Sequence, residues 1–149
     1  SRMNRTPGLI PFRAEHLLAF VNRDGEANFA RGALDKERRG PAFTAILDNR
    51  ILGCAGVQLM WAGFGIAWAV FSKEMFDFPL WTTRTVRNCL RDIINAFELH
   101  RVEVVVLVDH NVNIAWATAL GFRRENNGIA KQYTPQGDDT IRYELVKER

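Results

Sequence analysis

The stretch Val108–Phe122, VDHNVNIAWATALGF, decides the fold. Just ahead of it stands Glu103-Val104-Val105-Val106-Leu107, so Arg101 to Val108 reads as a buried strand. The polar Asp109-His110-Asn111 interrupts that strand, and an alanine-rich helix follows and stops at Gly121. Glycine there supplies the left-handed residue that a helix end favours. The residues alone leave two readings open. One is a strand–loop–helix connection capped by Asp and Asn, which needs no ligand. The other is the polar mouth of a site.

Upstream, Trp81 to Leu99 carries the clearest helical pattern, with apolar Val86, Leu90, Ile93, Ile94 and Phe97 on one stripe. Thr82 or Thr83 is expected to cap it, with Pro79 just before. Ahead of Ser72 to Leu80, an irregular stretch, lie three strand patterns: Phe43 to Leu47, Ile51 to Met60 and Gly65 to Phe71. Asp48-Asn49 and Trp61-Ala62-Gly63 supply the turns. The third strand is apolar throughout and therefore central. Pro11 to Val21 reads as a first helix, Asp24-Gly25 as a turn, and Glu26 to Glu37 as a weaker helix interrupted by Gly32. Two strands, near Phe122 to Glu125 and at Thr140 to Val146, close the chain. A helix crossing between neighbouring strands implies that they run parallel. The expected class is therefore α/β, a mixed and mostly antiparallel sheet with helices on both faces.

Composition narrows the function. The 149 residues fit one domain, residues 3–149, with Ser1-Arg2 before Met3 read as a cloning remnant. A net charge of +3, carried by scattered basic residues, argues against a nucleic-acid binder but suits a ligand with phosphates. Cys54 and Cys89 show no metal or CxxC spacing, so they read as free core thiols in a reducing compartment, with no metal expected. Ile51 to Phe71 lacks charge over a span-like length, yet Gly53, Gly56, Gly63 and Gly65 with Gln58 make it a buried hairpin and not a membrane helix. No signal peptide precedes the fold, so a cytoplasmic location is expected.

From Phe43 to Val146 the sequence resembles the GNAT N-acetyltransferase superfamily. Asn113-Ile114-Ala115-Trp116-Ala117-Thr118-Ala119-Leu120-Gly121-Phe122 follows the family's Asn, aromatic, Gly-Phe shape, although His110 or Asn111 competes with Asn113 for the Asn position. Gly121-Phe122-Arg123-Arg124-Glu125, Tyr133 and Gly137-Asp138-Asp139 fit the family's tail. AWAVFSKEMFDFPLWTTRTVRNCL, Ala67 to Leu90, is similar to small GNAT-like proteins encoded by bacteriophages, which would place the protein in host cytoplasm or virion. The resemblance implies a fourth and a fifth strand splayed apart, with acetyl-CoA in the gap. Pantetheine would pair there like an added strand, beside Asn111, Asn113 and Trp116. The acceptor would be the amine of a small molecule or a protein. A homodimer through a sheet edge is also possible.

The resemblance breaks at the cofactor loop. The family's glycine-rich pyrophosphate loop falls on Phe78-Pro79-Leu80-Trp81-Thr82-Thr83, where the glycines are gone and Trp81 takes the central place. Trp81 would either cover the phosphate site or pack on the sheet. Thr82, Thr83 and Arg84 offer hydroxyls, N–H groups and a cation instead. The thioester oxygen needs a donor, expected from a backbone N–H near Val70 or Phe71. The family's acidic Tyr is replaced by Ala117, and Ile66 to Phe71 holds no carboxylate to act as base. His110, with an ordinary pKa of about 6.5, is the candidate catalytic base. Glu74, Asp77 and Glu103 read as surface or paired charges, and Trp61, Trp68 and Trp116 as core aromatics. The expectation is an N-acetyltransferase, and the alternative is a catalytically inactive GNAT-like phage structural or interaction module.

Overall fold

The structure is a computed structural model and describes residues 5–17, 27–107, 117–124 and 137–146. Its strands are β1 (Gly8–Pro11), β2 (Ala42–Leu47), β3 (Arg50–Trp61), β4 (Phe64–Phe71), β5 (Arg101–Leu107), β6 (Arg123–Arg124) and β7 (Thr140–Val146). They form one sheet in the order β1-β2-β3-β4-β5-β7-β6. Among the described residues, the α-helices that pack on it include α1 (Ala27–Arg39) and α2 (Pro79–Ala96). Only the β4–β5 pair is parallel among these strands, which is the mixed sheet expected from a helical crossover.

The turns follow from residue chemistry. Asp48 and Asn49 both take positive φ, 51° and 66°, as a two-residue hairpin of the right twist requires. Ile51 to Phe71 is therefore the expected hairpin, formed by β3 and β4. At its far end Gly63 has φ 85°, and its carbonyl accepts the N–H groups of His100 and Arg101 at 2.9 and 3.1 Å. That contact pins the start of β5 beside the start of β4.

Each face of the sheet has its own cover. Leu90 and Ile93 of α2 pack on Val57, Val102, Ile141 and Tyr143. On the opposite face Phe12, Leu17 and Ala33 cover Cys54, Trp68 and Val70. Such burial of apolar side chains on both faces is the main stabilising term of the fold.

Four expectations are corrected. Pro11 to Val21 is not a helix across its described residues: β1 ends at Pro11, and a 3-10 turn, Ala14–Leu17, follows. The Phe12 N–H extends the pairing by donating to Ala42 O at 3.2 Å, which keeps this segment extended. Gly32 does not interrupt α1, which runs through it. Helix α2 begins at Pro79, because proline is suited to the first helical position, and its cap is Phe78 rather than Thr82 or Thr83. It ends at Ala96, so Phe97 leaves the buried stripe and is 45% exposed.

The helix of the opening stretch is described only over its last residues, 117–119. The N–H of Gly121 donates to Thr118 O and that of Phe122 to Ala117 O, both at 3.0 Å, with Gly121 at φ 97°. This is a Schellman end with glycine at C′, as the Gly-Phe pair predicts.

Candidate active site

β4 and β5 pair at three positions only: Phe64 with Arg101, Gly65 with Val102 and Ile66 with Glu103. Beyond them β4 continues to Phe71 along β3, while β5 continues to Leu107 along β7. The two strands thus part and leave a gap inside the sheet. Ala67 and Ala69 are the first odd-numbered β4 residues beyond the pairing, and their methyl groups take little space.

Strand alternation tells which backbone groups line the gap. The Ser72 N–H donates to Leu52 O at 2.8 Å, in register with the pairs Cys54–Val70 and Gly56–Trp68. Residues 68, 70 and 72 therefore turn their polar backbone groups to β3. Ala69 and Phe71 turn theirs to the gap. Of the two residues expected to supply an N–H donor, Phe71 has the required direction and Val70 does not.

The start of α2 lies at the end of the loop that follows β4. Its first helical N–H bond is Thr82 to Phe78 O at 2.9 Å. Pro79 has no N–H, so the N–H groups of Leu80 and Trp81 sit in the first turn, where no helical carbonyl precedes them. The donors expected at Thr82 to Arg84 are thus displaced by two residues. Thr82 is buried, and its hydroxyl donates to Met75 O at 3.3 Å, so it is a structural tie. Thr83 is half-buried and Arg84 is exposed in the next part of the helix. Trp81 packs with Phe71 and Phe78 against Ala45, Leu52 and Met75. Of the two roles open to it, packing on the sheet is the one observed. His110, Asn111, Asn113 and Trp116 lie outside the described residues.

Solved structures share this architecture. An acetyltransferase of the GNAT family from Streptococcus pneumoniae matches with a TM-score of 0.73 at 14% identity, over 96% of this chain and 100% of that one. The fold is the GNAT acetyltransferase fold. A spermidine N-acetyltransferase from Vibrio cholerae matches at 0.70 with 12% identity, over 94% of this chain and 93% of that one. A microcin C7 self-immunity acetyltransferase in complex with acetyl-CoA and AMP matches at 0.68 with 11% identity, over 93% and 92%. No protein-family model matches the sequence, and no curated protein matches it.

On this GNAT fold the face covered by α1 carries polar groups that the sequence did not single out. The Arg13 N–H donates to His16 Nδ1 at 3.1 Å, so that nitrogen is an acceptor. The Thr44 hydroxyl, 2.7 Å away, therefore donates to it and can in turn accept from the Cys54 thiol at 3.5 Å. Burial pushes the Cys54 thiol up to about 11, so it is no nucleophile. Lys36 of α1 holds its ammonium 5.5 Å from the ring centroid of Trp68, and burial lowers its pKa. The Trp68 Nε1 is buried without an acceptor. Trp68 is core, as expected, whereas Trp61 is exposed.

The expected surface charges keep to their reading. Glu74 pairs with Arg50 at 2.9 Å, and Asp77 is exposed. Glu103, at the point where the strands part, accepts from Arg101 at 2.7 Å and lies 3.5 Å from Arg142. Arg101 also reaches Glu144 at 2.7 Å. Two cations thus hold Glu103 as a structural charge. His16 and Lys36 were missed because a short 3-10 turn and a lone helical lysine carry no periodic signal. The nearest hint was Gly32, one helical turn before Lys36.

Proposed function

We propose that the protein is an acetyl-CoA-dependent N-acetyltransferase acting on an amine of a small molecule or protein. The observation that carries this is the parting of β4 from β5 with Ala69 and Phe71 turned into the gap. An edge of a sheet that faces a gap fits an extended, amide-bearing chain such as pantetheine. Ala67 and Ala69 leave room beside it. Leu80 and Trp81 would offer N–H groups to the pyrophosphate, with Arg84 as a nearby cation. Asn111, Asn113 and Trp116 belong to the same proposal, as the far wall.

When bound, acetyl-CoA supplies the activated acetyl group. The backbone N–H of Phe71 or Ala69 would donate to the thioester oxygen as negative charge develops on it. His110 would take the proton of the acceptor amine. The amine nitrogen forms the C–N bond as the C–S bond breaks, and its proton ends on the departing thiol.

Titration calorimetry with acetyl-CoA and desulfo-CoA tests this. The expected outcome is saturable binding of both, followed by thiol release when amines are added. Absence of binding would overturn the proposal. The glycine-free loop and Ala117 favour a second reading, an inactive GNAT-like interaction module, phage-derived if the likeness of residues 67–90 is one of descent. Binding without transfer to any amine would favour it.

A further inference from the structure

Helix α2 buries Leu90 and Ile93 against the sheet and leaves Arg84, Arg87 and Arg91 exposed. These arginines are spaced three and four residues apart, so they form one stripe on the side away from the core. Arg124 extends it. That residue follows Phe122, which packs with Leu90 and Ile93, and its register with Tyr143 puts it on the α2 face, where it is exposed. The Arg87 guanidinium donates to Ala119 O at 3.0 Å and draws the two segments together.

Elsewhere arginines find carboxylates. Arg5 meets Asp48, Arg13 meets Glu37 at 3.1 Å, Arg50 meets Glu74 at 2.9 Å and Arg101 meets Glu103 at 2.7 Å. In the stripe the one carboxylate contact among the described residues is Arg91 to its neighbour Asp92. It is long, 3.6 Å, and exposed on both sides, so it neutralises little. Four cations less one anion leave +3 on this face, the net charge of the whole chain. The remainder of the chain is therefore balanced.

Every cation of the stripe is an arginine, whose planar fork grips two phosphate oxygens at once. Trp81, the one aromatic residue of α2, packs on the cluster of Met75, so a splayed base finds no stacking platform in the stripe. From Arg84 to Arg91 the helix rises about 10 Å. One strand of a duplex sets a phosphate about every 3.4 Å along its axis, so about three of them face the stripe.

We propose that the outer face of α2 binds the phosphate backbone of a double-stranded nucleic acid, without base readout. The arginines are dispersed in the sequence, and helical spacing brings them into line. The inference is independent of the acetyltransferase reading, and Arg84, which that reading also uses, stays untouched in the test.

The test is fluorescence anisotropy with labelled DNA duplexes of about 20 base pairs, in two unrelated sequences, between about 50 and 200 mM salt. Both should bind alike, and log K should fall against log salt with a slope of about −3 to −4. Arg91→Gln combined with Arg124→Gln, two side chains without a hydrogen bond among the described residues, should weaken binding about tenfold or more at low salt and make the slope shallower by about two. Arg38→Gln combined with Arg39→Gln, exposed at the end of α1, should change affinity by less than about twofold. A slope near zero, or an equal loss from both pairs of substitutions, would overturn the proposal. So would displacement by poly-glutamate as effective as that by unlabelled duplex at equal charge, since the surface would then select an acidic protein segment.

Discussion

Cys54 is 1% exposed, with its thiol against the Thr44 hydroxyl. Burial raises its pKa from 9.0 to about 11, and the Thr44 contact lowers it by less. Between these values the unfolded chain has lost the proton and the folded chain keeps it. The unfolded state then binds fewer protons, so stability falls as pH rises. The Cys54 contribution is fully present below pH 9 and is lost progressively toward pH 11. Chemical denaturation at pH 8 and pH 11 should show the wild type losing about 2 kcal/mol more than Cys54→Ala over that interval. Equal losses would mean that the thiol is not held protonated. Trp81 marks the limit of sequence reading at this scale. Its position in the loop was legible, but its direction was not, because direction depends on Phe71 and Phe78 around Met75. Thr82 was misread for a related reason. A threonine near a helix start resembles a cap, yet Pro79 had already set the start and left Thr82 to bond Met75.

The elements themselves were largely written in the pattern of residues. Alternation and turn chemistry specify β2, β3 and β4, and the valine run specifies β5. What escaped was β1, four residues whose strand character comes from β2 and not from any period of their own. Arg39-Gly40-Pro41 marked the joint between α1 and β2, but how closely it packs was hidden. Gly40 lies against β3, where an added Cβ would fall 1.9 Å from Val57 O. Backbone cannot yield as a flexible side chain can, and Val57 is fixed by its N–H bond to Pro41 O at 3.0 Å. Gly40→Ala should therefore cost about 3 kcal/mol, as overpacking does. That corresponds to a Tm lower by roughly 6–12 °C in a chain of this size. Gly8→Ala is the control: nothing lies within 4 Å of its Cβ, and its Tm should stay near wild type. A normal Tm for Gly40→Ala would mean that α1 and β2 separate freely at this joint.

At the scale of the whole molecule, the gap exists because two halves of the sheet agree only at their base. Gly63 binds the start of β5, and Arg101, Glu103, Glu144 and Arg142 fasten β5 to β7. The sequence made the parallel pair legible through its crossover helix. It could not say how many residues pair, since that depends on which neighbour each strand follows. The arrangement makes a residue-specific prediction. Ladder pairing protects the amides of Trp68 and Val70 through β3, while the Ala69 amide faces the gap. In the free protein, hydrogen exchange at Ala69 should thus be faster than at its two neighbours. Addition of saturating acetyl-CoA should slow Ala69 by about tenfold or more and leave Trp68 and Val70 nearly unchanged, because only the gap-facing amide gains an acceptor. NMR exchange rates read this directly. Uniform slowing of all three would mean that binding stabilises the sheet from elsewhere. No change at Ala69, with acetyl-CoA bound, would mean that the ligand does not pair with β4.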